Sequence, residues 1–320
     1  MKAITYTRYG SPDVLQLKEV AKPSPKANEV LVKVHAVALN YADWHALTGD
    51  FRWLGFGVFQ PKFPIPCADF AGQVEAVGKN VTQFKVGDEV YGDLSSSGWG
   101  ALSEYVCVPE HLTSHKPVNL SFEQAAAVPM AGCTALQGLH KGGIRSGQRV
   151  AINGASGGVG TFTLQIAKAL GAHVTATCST KNVELMRSLG ADHVIDYTQE
   201  DFTRNGQRYD LIVAVNGYHP LSAYRRVLTS DGTFIILGGS PSQILGTIAI
   251  SPIFSLGNKQ TFTNLYATPS GSDLRTLKEL IEAGKVLPVI AGVFPMKDAS
   301  KAFEFYGNGH SQGKIVIKIN

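Results

Sequence analysis

Nowhere do the 320 residues include about 18 uninterrupted apolar positions, the length a helix needs to cross a bilayer, so no membrane-spanning helix is expected. Cysteine is scarce. Cys67, Cys107, Cys133 and Cys178 lie far apart with no Cys-x-x-Cys pair, which argues against a disulfide framework or a zinc ribbon and leaves reduced, mostly buried thiols. Basic runs interleaved with aromatics are missing, and the formal charge is only +4, so a nucleic-acid groove is not expected. Residues 1–6 read as a strand and lack the apolar core and cleavage site of a secretion signal, which makes the cytoplasm the expected compartment. No internal repeat or low-complexity tract is present.

What is present suits two domains, since the chain is too long for one small core. Over 1–120, short β-rich runs such as 29–38 and 71–77 alternate with Gly, Pro and Asn turns, the pattern of a mostly antiparallel, barrel-like domain without a long helix. Ser121-Phe122-Glu123-Gln124 matches a helix capping box, and a second domain is expected over 121–258. There, apolar strands (149–152, 173–178, 210–215, 233–237) alternate with helices (159–170 and one ending at Leu189), with Gly171 and Gly190 as C-terminal caps. Strands without polar alternation fit a sheet covered on both faces, a doubly wound α/β fold with a parallel sheet. Residues 259–320 include a helix over 273–283 and a strand over 314–319, and are expected to rejoin the first domain.

Asn153-Gly154-Ala155-Ser156-Gly157-Gly158-Val159-Gly160 falls where the first of those strands gives way to a helix. Glycines there let the backbone approach a pyrophosphate, and the helix N-terminus supplies free N–H groups, so this is a Rossmann dinucleotide turn. An NAD site would end the second strand with an acid for the ribose 2′-hydroxyl. Here the strand runs into Cys178-Ser179-Thr180-Lys181 with no carboxylate. Ser179 and Thr180 can donate to a 2′-phosphate and Lys181 can pair with it, each charge-assisted contact giving about 1.5–3 kcal/mol, which favours NADPH. The alternative is that the two hydroxyls cap the next helix while Lys181 is solvated. Tyr197, after the third strand, either flanks the adenine or packs.

With these landmarks the chain resembles the medium-chain dehydrogenase/reductases, specifically their zinc-free quinone oxidoreductase-like branch. The resemblance runs over the whole length. It rests on the order and spacing of 40–43 (Asn-Tyr-Ala-Asp), 69–78, 86–90, 132–135 and the turn at 155–160. It implies a GroES-like catalytic domain (1–120 and 259–320), a Rossmann domain between, an active-site cleft between the two, and a homodimer. Zinc alcohol dehydrogenases of the superfamily hold a catalytic metal with a Cys, a His followed by Glu, and a second Cys. The matching positions are Asn40, Ala68 followed by Asp69, and about Met130. Zinc needs several N, S or O donors, so no metal is expected.

Without a Lewis acid, acceptors that need little activation remain: a quinone or an α,β-unsaturated carbonyl, small and hydrophobic, taking hydride to leave a delocalised oxyanion. The resemblance puts Asn40, with Tyr41 and Asp43, at the substrate site and Thr134 near the nicotinamide. Asn40 either steadies the acceptor oxygen or, with Asp43, organises a turn and helix cap. Thr134 is alternatively a small packing residue. His45 falls at the relay histidine of the zinc enzymes, but Ala42 replaces the relay hydroxyl. Related enoyl-thioester reductases carry a proton-donating tyrosine after a Thr-Gly turn; here Thr48-Gly49-Asp50 leads to Phe51, which cannot donate. The aromatic 51–63 segment is either an apolar lid or packing. Two other functions remain open: an NAD(P)-dependent alcohol dehydrogenase, and a non-catalytic NADPH-binding protein used for structure or sensing.

Overall fold

The computed structural model describes residues 1–50, 52–216, 219–239, 244, 246–248, 251, 259–309 and 312–319, and turns the period-two runs of the first part into strands. These are β1 (Lys2–Thr5), β2 (Gln16–Glu19), β3 (Glu29–Leu39), β4 (Asp69–Val77), β5 (Glu89–Asp93), β6 (Tyr105–Pro109) and β7 (Thr113–His115). Between β3 and β4 the structure adds a helix, α1 (Tyr41–Thr48). Its apolar residues are spread around it, so no 3.6-residue stripe announces it. Helix α2 (Phe122–Ala126) starts in the expected capping box: the Ser121 hydroxyl accepts from the Gln124 N–H (3.2 Å), and the Gln124 side chain accepts from the Ser121 N–H (2.9 Å). Helix α3 spans Pro129–Lys141.

The described residues form two compact units. The second, Thr134–Ala267 with Ala283–Leu287, contains β8 (Arg149–Asn153), α4 (Gly158–Ala169), β9 (His173–Cys178), α5 (Val183–Ser188), β10 (His193–Asp196), β11 (Tyr209–Ala214), α6 (Leu221–Val227), β12 (Leu228–Ile236) and β13 (Thr261–Asn264). Its sheet runs β10-β9-β8-β11-β12-β13 among the described residues, with every pair parallel. The order reverses beside β8, the switch point where doubly wound sheets bind ligands. Ile212, Ala214, Tyr224 and Phe234 are buried in its core. Gly171 ends the α4 region at φ +82°, its N–H bonded to the Lys168 carbonyl at 3.0 Å.

The chain then returns to the first unit, Met1–Cys133, Thr268–Glu282 and Pro288–Asn320, through α7 (Gly271–Glu282), β14 (Ile290–Pro295), α8 (Ala299–Gly307) and β15 (Lys314–Lys318). The sheet order here is β14-β15-β3-β4-β5-β7, with β6 also on β3. β15 lies antiparallel to β3, with Ile315 opposite Leu39. Val30, Val32, Phe70, Ile315 and Ile317 share one core. That register sets Lys314, the first residue of β15, beside Asn40, the residue after β3.

Candidate active site

In the second unit, β8 ends at Asn153 and the chain turns through Gly154 at φ +83°. A Cβ on Gly154 would lie 2.9 Å from the Asn216 Cβ and 3.0 Å from its backbone nitrogen, so both conformation and space require glycine. Gly160 serves packing: its Cβ would stand 2.4 Å from the Gly154 carbonyl oxygen and 2.6 Å from that of Ala155. Gly157 caps α4 with extended backbone, which leaves the N–H groups of the first helical turn without partners inside the helix. Asn153 is clamped, accepting from the Thr177 hydroxyl (2.9 Å) and donating to the Tyr224 hydroxyl (2.8 Å). Ala155 is buried, whereas Ser156, Gly157, Gly158 and Val159 are half-buried. Free N–H groups, a helix N-terminus and a side-chain-free approach fit a dinucleotide pyrophosphate.

Beyond β9, Ser179 is half-buried and accepts from the Asn182 amide at 3.1 Å, while Lys181 is exposed and Tyr197 is 60% exposed. The absence of a carboxylate at this strand end needs correcting. Parallel pairing sets Asp196, the last residue of β10, opposite Cys178, and the Thr180 hydroxyl donates to Asp196 at 2.6 Å. That bond, with those from Thr198 and Gln199, holds the Asp196 carboxyl below its usual range. The acid arrives from the neighbouring strand, where a search along β9 could not find it, and it takes the one proton Thr180 can give. Thr134 lies buried in α3.

In the first unit, Asn40 precedes α1 and Asp43 caps it: the Asp43 carboxylate accepts from the Asn40 N–H at 2.6 Å, and the Asp43 N–H donates to the Asn40 carbonyl at 3.0 Å. The Asn40 side chain is also engaged. Its Nδ2 donates to Asp69 Oδ2 at 2.9 Å, and its Oδ1 accepts from Lys314 Nζ, which lies 3.2 Å from the same Asp69 oxygen. Asp69 Oδ1 accepts from the Met130 N–H at 2.9 Å. Asp69 is fully buried and Lys314 is 3% exposed.

Acids crowd this place. Asp93 lies across the β4–β5 pair from Asp69. Burial pushes the Asp69 carboxyl up, opposed by the Lys314 ammonium and the Asn40 and Met130 donors. Burial and the Asp69 charge push Asp93 up to about 7, and burial pushes the fully enclosed Asp43 up to about 8. Asp43 Oδ1 has no hydrogen-bond partner. One cation and one anion thus form the charged pair, while Asp43 is held mostly protonated near neutral pH.

Lys314 is the residue sequence reasoning missed. The available signal was a lysine opening the apolar run Ile315-Val316-Ile317. Its presence also bears on zinc. At the matched positions Ala68 offers no donor, Met130 packs against the core, and both Asp69 oxygens are spent on N–H donors. Zinc does not fit this donor set.

Tyr41 is 41% exposed, its ring centroid 4.0 Å from that of His45. His45 Nδ1 contacts Asp50 Oδ2 at 2.6 Å, and Asp50 also accepts from the Thr48 hydroxyl at 2.7 Å. In the 51–63 segment, Phe56 packs edge-on against Phe63 and Trp99, whereas Trp53, Val58 and Phe59 are exposed around an open hollow of about 610 Å³. The segment therefore combines packing and exposed apolar surface; Phe51 lies outside the described residues.

Comparison with known proteins matches residues 26–118 to the alcohol dehydrogenase GroES-like domain and residues 189–317 to a family described as zinc-binding dehydrogenase. The chain is 36% identical to the chloroplast envelope quinone oxidoreductase homolog of Arabidopsis thaliana, across 99% of this chain and 98% of that protein. It is 35% identical to the chloroplastic NADPH-dependent alkenal/one oxidoreductase of the same plant, across 99% of this chain and 79% of that one. The solved quinone oxidoreductase from Coxiella burnetii superposes with a TM-score of 0.89 at 30% identity, covering 100% of this chain and 99% of that one.

Proposed function

The chain belongs to the quinone oxidoreductase-like branch of the medium-chain dehydrogenase/reductases, and from that premise we propose that it is an NADPH-dependent, zinc-independent reductase of quinones or α,β-unsaturated carbonyls. The observation that carries this reading is full-length similarity to proteins named for those two acceptor classes, in a chain whose turn at 154–160 fits a dinucleotide. When bound, the reduced nicotinamide supplies the hydride.

The chain's own residues bind and orient. Ser156 through Gly160 receive the pyrophosphate on backbone N–H groups, while Gly154 and Ala155, whose N–H groups bond to Thr177, shape the turn beneath it. Ser179 and Lys181 receive the 2′-phosphate, with Tyr197 beside the adenine; Thr180 is committed to Asp196 and steadies the loop. Lys181 offsets the Asp196 charge, which by itself opposes a phosphate. Thr134 lines the nicotinamide site. The Asn40 amide receives the acceptor oxygen, held by the Asp43 cap, with Tyr41 on the exposed side of α1. The final proton comes from water. A homodimer in the cytoplasm completes the proposal, with light scattering and imaging of a tagged chain as its checks.

The deciding experiment follows NADPH and NADH oxidation with quinones, alkenals and ketones in parallel. Expected is turnover of quinones or alkenals with NADPH, with NADH poorer by about tenfold or more, as loss of one charge-assisted contact implies. Tight NADPH binding with no turnover of any acceptor, or turnover confined to simple ketones, would defeat the assignment.

A further inference from the structure

Zinc-dependent members of the superfamily hold a divalent cation at the positions matched here by Asn40, Ala68, which Asp69 follows, and about Met130. In this chain the last strand delivers an ammonium group to the same place. We propose that Lys314 is a built-in cation that polarises the Asn40 amide and so acts as a positioning residue for reduction of the acceptor, a role that rests on Asn40 being the acceptor-binding group.

An ammonium can only donate and a carboxylate can only accept. With Lys314 on one side and Asp69 on the other, the Asn40 amide has one permitted orientation, oxygen toward Lys314 and nitrogen toward Asp69. A flipped amide would face donor with donor and acceptor with acceptor. The ammonium draws electron density from the amide oxygen and strengthens the N–H groups as donors, as coupled hydrogen bonds do in a low-dielectric setting. One of those N–H groups is taken by Asp69. The other reaches only the Ala38 carbonyl, at 3.5 Å, the outer limit of a hydrogen bond, and so is the amide proton left for a ligand oxygen. Of the three residues Asn40 is the most accessible, at 8% exposure.

A purely structural pair predicts something different. Buried ion pairs are often replaced by neutral residues with little change in stability, so a pair that only holds the fold has no need of its cation. A cation beside the acceptor's hydrogen-bond donor matters only as negative charge grows on the acceptor oxygen.

The test compares Asn40→Ala, Lys314→Arg and the double variant Lys314→Met/Asp69→Asn with wild type, by melting temperature, NADPH Kd, and kcat and KM for a quinone and an alkenal. Expected for Asn40→Ala and for the double variant is a kcat lower by about 10- to 100-fold, with NADPH Kd unchanged and acceptor KM moving less than kcat. Lys314→Arg keeps a cation at the end of β15 and should return most of kcat. A double variant that melts like wild type and turns over like wild type overturns the role of Lys314. Should the double variant not fold, Lys314→Arg decides, because a Lys314→Arg protein that melts like wild type and loses as much kcat as Asn40→Ala would mean that a cation at this place does not serve the reaction. Full kcat in Asn40→Ala removes the acceptor-binding role of Asn40 and that of Lys314 with it. Wild type that reduces neither acceptor overturns the parent assignment, a result distinct from any variant effect.

Discussion

The two units solve polar recognition in opposite ways. In the second, the glycine turn offers the backbone N–H groups of the half-buried Ser156, Gly157, Gly158 and Val159, and its glycines keep side chains off the approach. In the first, side chains do everything: Asn40, Asp43, Asp69, Asp93 and Lys314 are enclosed and bonded to one another or to backbone. The open turn serves a ligand shared by many enzymes, which a backbone can bind without regard to sequence. The enclosed cluster holds a fixed arrangement of charge, at the cost of desolvating several ionisable groups. It is the part of the molecule where a single proton or a single methyl group should matter most.

Titrating the enclosed cluster gives the largest expected effect. With Asp43 raised to about 8 when folded and near its ordinary value when unfolded, the folded state keeps a proton that the unfolded chain gives up. The contribution of this group is then full below about pH 4 and is lost as pH rises toward 8, by up to about 1.4 kcal/mol per pH unit. Asp93 adds a similar fall up to about pH 7. Asp43→Asn keeps an acceptor for the Asn40 N–H and loses the titration. Urea midpoints at pH 5 and pH 8 should differ less in the variant, by a few kcal/mol in stability; equal pH dependence in both proteins would refute the shifted carboxyl.

An intermediate effect is expected from filling the open turn. Gly160→Val sets carbon against two carbonyl oxygens and must push α4 off the turn. NADPH affinity should drop about 100-fold, the equivalent of roughly 2.7 kcal/mol, while the melting temperature falls by only a few degrees. Fluorescence titration showing unchanged affinity would mean that the helix need not lie close. The smallest effect belongs to Asp196→Asn, which removes an exposed charge near the proposed 2′-phosphate site. Preference for NADPH over NADH should rise a few-fold, more at low salt than at high. A fall in that preference would show that Asp196 helps NADPH by holding Thr180.

How much could be read beforehand follows the same division. The glycine turn, the Ser121 capping box and the Gly171 cap are local, each decided within about one turn of chain, and they were legible in the residues. Two things were not. Lys314 meets Asn40 across 274 residues, a contact created by β15 docking beside β3. Asp196 meets Thr180 through the register of parallel strands, and a strand-by-strand search sees only one of them. Helix α1 escaped for a third reason, since its apolar residues form no stripe while the Asn40–Asp43 cap that starts it reads equally well as a turn.

The pairing of β15 with β3 also orders events in time. As the chain leaves the ribosome, every strand of the second unit's sheet among the described residues has been made once Asn264 has emerged. The first unit, although it contains Met1, still lacks Lys314 and the two strands β14 and β15. Domains fold as units during synthesis. Here the dinucleotide-binding sheet can close first, while the Ala36–Leu39 end of β3, beyond its pairing with β6, waits unpaired for the last strand to arrive.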